Sequence, residues 1–439
     1  MTNKWETLSH NGIYFWPSYT RLPPTIHLLY NNIPVRNMSL EAEEFACYFA
    51  NLADNHATNV MVRNNFFADW KPLLTDTIPQ IDDLDKCVFS VIKNYIKTTG
   101  HSKYNIDGDI SNYEYVVLNG NKEKLKNCKV ERPGIYIYSG PLSGKIKRRI
   151  TPEDVTINIG KESEIPNPPD GHKWGRKHPV TGKDTEIIFS PDSKVKHLAH
   201  ESKFNKALEL GKHIDSIHIR YERDLISDNN VNREKATILY LIDRYGFRIG
   251  KEKDITKEPD TVGCSTFKSS NVILDDHSKS VIISFVGKSN VQCSQLVVEN
   301  RIYENMQRFK AGKKSQDNIF SVKHNDVNDY ISSFEHGFTS KIFRTYHASR
   351  IYNEYLCECA NQTSIGFNIK HELAAKKALR FCKHEEFKTV IKNYIDPRIT
   401  SDWCNKHKFP FKDLYNKSTY KILKWAENLS NISYLQNEI

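Results

Sequence analysis

The sequence predicts an α+β protein with two lobes, a mixed α/β lobe at the N-terminus and a mainly helical lobe after it. The 439 residues exceed one ordinary domain and suggest two or three. Short strand signals, broken by glycine and proline, dominate up to about residue 190. From about Glu201 onward, apolar residues recur at helical spacing over long stretches. We place the boundary between the lobes between Ser190 and His200.

The N-terminal lobe alternates extended segments with predicted helices. Residues 5–22 are rich in aromatic side chains and interrupted by glycine and proline, which predicts strands and turns. Ser39 suits the N-cap of a helix whose apolar residues follow at helical spacing. A second helix is predicted over residues 64–70, and a helix followed by a loop over residues 75–112. Strand signals return at two places, Tyr113–Leu118 and Gly134–Tyr138.

Between residues 140 and 170 the composition becomes basic and rich in glycine and proline. The cations of this cluster are Lys145, Lys147, Arg148 and Arg149. Residues 166–177 then combine proline and glycine with Lys173 and Trp174. A solvated loop explains such a segment, but basic groups mixed with an aromatic ring also suit contacts to phosphates. Composition alone leaves both interpretations open.

The C-terminal lobe is predicted as a series of helices interrupted by a β-hairpin. Helices are assigned from apolar periodicity and from glycine stops, and the hairpin from two apolar runs that flank a short polar turn. In chain order, the predicted elements are a helix over 200–222, a helix over 236–245 that stops at Gly246, a hairpin whose turn Gly287–Asn290 carries Lys288, a helix from Thr339, and a helix from Glu372 that ends near His384.

Bulk properties narrow the class of protein. The formal net charge of +10 and the pI near 8.9 favour a polyanionic partner. The nine cysteines have no regular spacing, which is typical of a reducing compartment. The start does not resemble a signal peptide, and no run approaches the roughly 18 apolar residues of a spanning helix. We therefore expect a soluble intracellular protein.

Groups suited to phosphoryl chemistry stand in distinct local settings: Arg248, Lys288, Arg344, His384 and Tyr394. Tyr394 lies two residues before an Asp-Pro step, and a residue that precedes proline is pushed out of helical geometry. We therefore expect its side chain to lie near a chain break and to reach out of the fold.

These residue types form a complete set for the attack of a tyrosine on a phosphodiester. Arginine donates two hydrogen bonds in a planar fork and stabilises the charge of the transition state. Histidine donates a further bond, and lysine can protonate the leaving alkoxide, so no metal is required. Each residue also has an ordinary structural explanation. Arginine after a helix stop is usually a surface cation, and histidine at a helix end often only favours the dipole.

Longer motifs along the chain decide between these interpretations. In order they are Gly12–Tyr19, Arg63–Trp70, Glu131–Gly134, Lys147–Asp154, Pro168–Trp174, Asp260–Cys264, Phe285–Lys288, Lys341–Tyr346 and Asn393–Thr400. Through these motifs the chain closely resembles the eukaryotic-type DNA topoisomerases of type IB. The resemblance covers nearly the whole chain, is strongest in the last four motifs, and is highly specific when the motifs are taken together.

The resemblance implies a role for each candidate. Tyr394 matches the nucleophile that becomes joined to the 3′ phosphate of the nicked strand. Lys288, helped by Arg248, matches the group that protonates the leaving 5′ hydroxyl. Arg248, Arg344 and His384 match the groups that stabilise the charged transition state. The downstream duplex then rotates and the 5′ hydroxyl attacks back. Supercoils of both signs are thereby relaxed with no cofactor, neither ATP nor a metal.

The resemblance also implies a two-lobed clamp around double-stranded DNA, bound by a monomer with little sequence preference and with no membrane partner. Residues 1–192 are expected to form the DNA-binding cap, 193–385 the catalytic core subdomain, and 386–439 the C-terminal segment with the nucleophile. The candidates for DNA contacts are Lys145, Lys147, Arg148, Arg149, Lys173, Lys196, Lys203 and Asn393.

The chain departs from the family pattern at several places. It starts almost at the core, and only residues 385–393 separate His384 from Tyr394, where relatives carry a long helical linker. The segment after Gly134 lacks the usual Arg-Gly-Arg-Gly loop, and Ser289 stands where aspartate is usual. The family's rotation control and drug response therefore cannot be assumed for this chain. A compact form rich in Asn, Lys and Ile fits a large DNA virus or an AT-rich microbe. The expected location is the nucleus or, if the protein is viral, a replication site or the virion.

Two other functions stay open on the sequence. A tyrosine recombinase uses a similar catalytic set, although the aromatic N-terminal lobe and the Asn-Tyr-Ile-Asp-Pro-Arg motif argue against it. A catalytically silent DNA clamp would bind duplex without a covalent adduct. A zinc site at Cys357 and Cys359 with His347 or His371 is disfavoured, because Cys-Glu-Cys spacing is tighter than in structural zinc sites.

Overall fold

A computed structural model describes the chain over residues 8–100, 110–138, 140–158, 173–182, 184–186, 188–253, 260–359 and 366–429, together with Tyr434. It divides into two compact units, the first running to Ser193 and the second beginning at Lys194. Helices and small antiparallel sheets occur in both units, which confirms the predicted α+β class. In the described ranges, no helix is both long and apolar enough to cross a membrane.

Short elements make up the first unit. Its helices are α1 Leu40–Ala50, α2 Asp54–Ala57, α3 Val60–Trp70 and α4 Ser90–Thr99. Its strands are β1 Leu8–Ser9, β2 Leu29–Tyr30, β3 Ile33–Pro34, β4 Cys87–Val88, β5 Tyr115–Leu118, β6 Asn121–Lys124, β7 Gly134–Ile135, β8 Ile146–Lys147, β9 Thr156–Asn158, β10 Lys173–Lys177 and β11 Asp184–Glu186. They pair antiparallel in the orders β1-β5-β6, β3-β2-β4, β7-β8 and β11-β10-β9.

The core of the first unit is aromatic and lies between α1 and α3. The rings of Phe49 and Phe66 stack with their centroids 4.4 Å apart, and Phe66 stacks on Trp70 at 5.3 Å. The indole of Trp70 donates to the carbonyl of Ala42 over 2.9 Å, so the burial of this large ring leaves no unpaired N–H. Val62, Phe66 and Trp70 form the buried face of α3, and Asn64 is exposed.

Local predictions for the first unit had mixed outcomes. Ser39 caps α1 as predicted, because its Oγ accepts from the amide of Ala42 over 3.1 Å. The prediction for residues 75–112 was wrong in order, since a loop comes first and α4 follows. Residues 75–83 contain proline and several aspartates, which favour turns, whereas Ile92 and Ile96 supply the buried face of α4. The strand predicted over Gly134–Tyr138 is only two residues long.

The second unit is mainly helical, as predicted. Its helices are α5 Lys194–Asp224, α6 Asn230–Tyr245, α7 Asn300–Lys310, α8 His324–Ser332, α9 Ser340–Glu358, α10 Phe367–Cys382, α11 Phe387–Asn393, α12 Pro397–Lys406 and α13 Lys417–Leu423. Its strands are β12 Val272–Asp275, β13 Ser280–Gly287 and β14 Val291–Val297, which pair antiparallel in that order. The hairpin between β13 and β14 confirms the predicted turn.

Helix α9 is the central element of the second unit, because it packs against α5, α6 and α10. Its first three turns are buried almost all round, with Phe343 and Tyr346 inside the core, and Tyr352 in the fourth turn is fully covered. A helix surrounded in this way also buries any polar residue on it, and that residue must find partners. Arg344 is such a residue, and only 3% of it is exposed.

In the second unit, helices α6, α10 and α11 each end within a few residues of a candidate catalytic residue. Helix α6 ends at Gly246, which has a left-handed φ of 66°, and α10 ends at Lys383, which has a φ of 50°. Helix α11 ends at Tyr394, just before the Asp396–Pro397 step that starts α12. The left-handed angles at Gly246 and Lys383 end their helices and change the direction of the chain just before Arg248 and His384.

Candidate active site

A cavity of about 740 Å³ in the second unit is lined by every residue of the predicted catalytic set, namely Arg248, Lys288, Arg344, His384 and Tyr394. These residues are spread over the 147 positions from 248 to 394, and they come from different elements. The fold therefore brings together what the sequence presents far apart.

Arg344 connects the elements that build the cavity. Its Nε donates to the carbonyl of Gly246 over 2.9 Å, and its Nη2 donates to the carbonyl of Cys382 over 2.5 Å. These carbonyls end α6 and α10, so the guanidinium satisfies acceptors that a helix terminus leaves free. Its Nη1 donates to the phenol oxygen of Tyr394 over 2.7 Å. One buried side chain thus fixes both helix ends and the tyrosine.

Tyr394 lies inside the fold, where we had expected it to reach outward. Only 5% of the residue is exposed, because the guanidinium of Arg344 covers its ring at 4.5 Å and the ring of His384 lies 5.8 Å away. The main chain is held as well: Ser349 Oγ donates to the carbonyl of Tyr394 and accepts from the amide of Asp396, each over 3.0 Å. The phenol nevertheless lines the cavity.

Arg248 and His384 form a hydrogen-bonded pair. Arginine can only donate, so the 2.6 Å contact makes Nε2 of His384 the acceptor and leaves the imidazole neutral. Burial first, and then the positive charges of Arg248, Arg344 and Lys288, together lower the pKa of His384 to about 4. The pKa of Arg248 is also lowered, by burial first and by the charge of Arg344 second.

Lys288 occupies the tip of the hairpin. The ladder between β13 and β14 closes at the pair Gly287 and Val291, and Lys288 follows directly in a short 3-10 turn. The side chain is exposed and lines the cavity. A lysine that is exposed and lines the cavity is placed to donate a proton to a group bound there.

The cavity is strongly positive. Within the described ranges, neither Arg248 nor Arg344 has a carboxylate oxygen within 4.0 Å. Glu385 and Glu386 also line the cavity, but the other charged lining residues are cations, including Lys341 and Lys383. Burying cations without counter-ions is costly, so this arrangement favours the entry of an anion such as a phosphate.

The basic cluster of the first unit is partly engaged in ion pairs. Lys145 Nζ lies 2.7 Å from the carboxylate of Asp69, and Arg149 Nη2 lies 2.5 Å from the buried carboxylate of Glu44. Arg148 is exposed, and its Nε lies 3.8 Å from the carboxylate of Glu41. Of these three predicted DNA contacts, Arg148 is therefore the one whose charge is most accessible.

The remaining predicted DNA contacts have different surroundings. Lys147 is half-buried, and burial lowers its pKa. Lys203 Nζ donates to the carbonyl of Asn393 over 3.0 Å, and burial and the charge of Lys341 lower its pKa to about 7. Lys196 is half-buried on α5. Lys173 begins β10, but its side chain lies outside the described part of the structure.

Three residues of the cavity region were missed by the sequence prediction. Lys341 and Lys383 line the cavity, and Ser349 holds the main chain on both sides of the tyrosine. Lys341 is the first residue of the Lys-Ile-Phe-Arg motif, and Lys383 directly precedes His384. Their places in the sequence, next to predicted catalytic residues, could have identified both as site residues. A serine in the middle of a helix gives no such signal.

The structure also describes the residues of the disfavoured zinc site. Cys357 is exposed whereas Cys359 is buried, and His347 is bound to Asp243 over 2.6 Å. Across the described ranges, no group of three or more His, Cys, Asp or Glu residues is placed to hold a metal ion.

Comparisons with known families cover most of the chain. A family model described as the catalytic core of eukaryotic DNA topoisomerase I matches residues 192–402. A model described as the DNA binding fragment of eukaryotic DNA topoisomerase I matches residues 3–183, and one described as a C-terminal topoisomerase domain matches residues 372–434.

Curated relatives named DNA topoisomerase 1 align with nearly the whole chain. The Caenorhabditis elegans protein is 30% identical over 98% of this chain and 67% of its own length. The human protein is 27% identical over 98% of this chain and 72% of its own length. The Candida albicans protein is 32% identical over 90% of this chain and 54% of its own length.

Proposed function

Because this chain belongs to the eukaryotic DNA topoisomerase I family and is a type IB DNA topoisomerase, we propose that Tyr394 is the nucleophile of its cleavage reaction. The observation that carries the proposal is the 2.7 Å bond from Arg344 to the phenol oxygen, in a cavity that also holds Arg248, Lys288 and His384. In this bond the arginine donates, so it fixes the position of the attacking oxygen without competing for the phenolic proton.

In the proposed cleavage step, the phenol oxygen of Tyr394 forms a bond to phosphorus as the bond to the 5′ oxygen breaks. The phenolic proton is released to solvent, and Lys288 protonates the departing 5′ oxygen. The enzyme becomes joined to the 3′ phosphate, and the other fragment leaves with a 5′ hydroxyl. The exposed position of Lys288 on the hairpin turn supports this role.

The charge that gathers on the non-bridging oxygens is stabilised by Arg248, Arg344 and His384. Arg344 is held by two carbonyls before substrate arrives, so little reorganisation is required during the reaction. His384 enters as a neutral imidazole that can donate from Nδ1–H while its Nε2 accepts from Arg248.

Religation reverses these steps after the free end has rotated. The phosphotyrosyl link conserves the energy of the phosphodiester, so supercoils of either sign relax without ATP. The positive charges that a metal would supply come from arginine and lysine side chains. The reaction therefore uses no cofactor.

DNA is the partner of this chain, since the family model that matches residues 3–183 is a DNA binding fragment. We propose that residues 1–192 act as the DNA-binding cap, 193–385 as the catalytic core and 386–439 as the segment that carries the nucleophile. Phosphate contacts by Arg148, Lys147, Lys173, Lys196, Lys203 and Asn393 make binding tolerant of sequence. We propose that the chain works as a monomer, in the nucleus or, if it is viral, at a replication site or in the virion.

A plasmid relaxation assay tests the proposed nucleophile. Tyr394→Phe keeps the ring that packs under Arg344 but removes the oxygen that attacks, so relaxation should fall by at least about a thousandfold while duplex binding persists. The assay is run with EDTA and without ATP. Relaxation by the Phe variant, or loss of wild-type relaxation in EDTA, would refute the proposed scheme.

A further inference from the structure

Lys383 stands at the centre of the catalytic region without a role in the mechanism above. It caps the end of α10 with left-handed backbone angles of φ 50° and ψ 52°. It lies between Cys382, whose carbonyl binds Arg344, and His384, which binds Arg248. Its backbone is thus fixed on both sides by the catalytic groups, and its side chain lines the same cavity.

The ammonium group of Lys383 is held on the side of the hairpin. Its Nζ donates to Oε1 of Gln295 on β14 over 2.7 Å and lies 5.7 Å from the centroid of the Phe247 ring. A second, small cavity of about 20 Å³ is lined by both Lys288 and Lys383. Lys383 therefore lies towards the group that acts on the leaving oxygen.

The charge of Lys383 lacks a counter-ion. In the described ranges no carboxylate oxygen lies within 4.0 Å of its Nζ, although Glu385 and Glu386 line the same cavity. An ammonium has three N–H donors, and the bond to Gln295 uses one of them. Burial lowers the pKa of Lys383, which is the expected response of a cation that has lost water without gaining an anion.

We propose that Lys383 binds a non-bridging oxygen of the DNA phosphate that neighbours the scissile phosphate on its 5′-hydroxyl side. Arg248, Arg344 and His384 surround the scissile phosphate itself, so a cation displaced towards the hairpin is placed for the next phosphate along the leaving strand. The proposal rests on the function proposed above and adds one substrate contact to that site. A phosphate there supplies the counter-ion that the free protein lacks.

Salt-dependent binding tests the proposal directly. Affinity for a duplex is measured from about 50 to 200 mM salt in proteins that carry Tyr394→Phe, so that no cleavage interferes. Lys383→Met should lower the slope of log K against log salt by about 0.9, the value for one lost phosphate contact. Lys383→Arg should retain the slope. An unchanged slope in Lys383→Met would overturn the proposal.

Two matched variants separate substrate contact from a structural role. Gln295→Leu removes the partner of the ammonium but keeps the charge, so the slope should stay at the parent value. Lys376→Met removes a lysine from the same helix that is paired with Glu372 over 2.7 Å, and it too should leave the slope unchanged. If Gln295→Leu lowers the slope as much as Lys383→Met does, Lys383 acts only by holding the hairpin, and the proposal is wrong.

A substrate with one neutral methylphosphonate locates the contact. Placed at the phosphate on the 5′-hydroxyl side of the cleavage position, it should weaken binding by the parent protein and cause no further loss in Lys383→Met. Additive losses would show that Lys383 contacts another group and would overturn the assignment. Failure of the proposed function is distinguishable, because it would appear as absence of a covalent adduct with Tyr394 intact, whatever the slopes.

Discussion

At the scale of single residues, Arg344 shows how a charge can be buried usefully. It donates three hydrogen bonds, two to carbonyl oxygens and one to a phenol oxygen, each over 2.9 Å or less. Its partners stand 98, 38 and 50 positions away in the chain. No local pattern encodes such distances, so the sequence indicated Arg344 through its motif but could not predict what it holds.

The proposed role of Lys288 as general acid is tested by changing the leaving group of the substrate. Lys288→Ala should slow cleavage by roughly 10²–10⁴-fold, the usual contribution of a positioned proton donor. In a substrate whose 5′ bridging oxygen is replaced by sulfur, the leaving group departs as a thiolate and needs no proton. The variant should therefore cleave this substrate at a rate within about tenfold of wild type. Single-turnover kinetics on both substrates measure this. Equal defects on the two substrates would contradict the role.

Acid sensitivity should follow from a buried histidine far from the chemistry. His371 is 4% exposed, and burial lowers its pKa to about 4. The unfolded chain binds a proton near pH 6.5 and the folded chain does not, so stability is full above that value and falls as pH drops towards 4. The loss between pH 7 and pH 5 is about 2 kcal/mol for one such group.

His371→Gln removes this titration. The midpoint of urea unfolding of the variant should therefore change less between pH 7 and pH 5 than the wild-type midpoint does. The matched control is His277→Gln, an exposed histidine in the turn between β12 and β13. That control should keep the wild-type pH dependence. An equal pH dependence in His371→Gln and wild type would show that this histidine is not the source.

At the scale of elements, the site depends on where helices stop. Helix α6 ends at Gly246, whose carbonyl accepts a hydrogen bond from Arg344, and Arg248 follows two residues later. The stop was predictable, because glycine follows a periodic apolar run. The start of α10 was not: it begins at Phe367, five residues before the predicted start, because the stacking of Phe367 on Trp403 is a tertiary contact.

Gly246→Ala tests the helix stop. A Cβ there would overlap the carbonyl oxygen of Phe381, and the left-handed φ of 66° adds strain. We expect a loss of more than about 2 kcal/mol, together with slower cleavage because Arg248 and Arg344 shift. The control Gly312→Ala shares a positive φ of 73° but has no atom within 4 Å of the added Cβ.

The control should therefore lose only about 1 kcal/mol and keep wild-type cleavage. Urea unfolding and single-turnover cleavage are measured on both variants. Equal losses in the two would mean that the close approach to Phe381 does not matter.

At the scale of the whole molecule, the chain divides into a unit rich in short strands and a mainly helical one, and the cavity that holds the predicted catalytic set is lined by residues of the second. Composition and periodicity predicted this division of secondary structure, because strand and helix signals are segregated along the chain. The two-residue strands of the first unit were not predictable, since their pairing depends on partners distant in sequence.

The short connection between His384 and Tyr394 also has a structural consequence. Residues 387–393 form α11, which packs against α10, so the histidine and the tyrosine are joined through one short helix. The sequence showed that this segment is short, but only the fold shows that both of its ends lie at the cavity.

The most direct test of the account captures the covalent intermediate and assigns its polarity. Wild-type protein is mixed with a duplex whose scissile strand is labelled at either end, and the products are separated on a denaturing gel. We predict that the 5′-labelled fragment migrates with protein while the 3′-labelled fragment is released free, and that Tyr394→Phe gives neither. An adduct on the 3′-labelled fragment, or one that survives in Tyr394→Phe, would contradict the central claim.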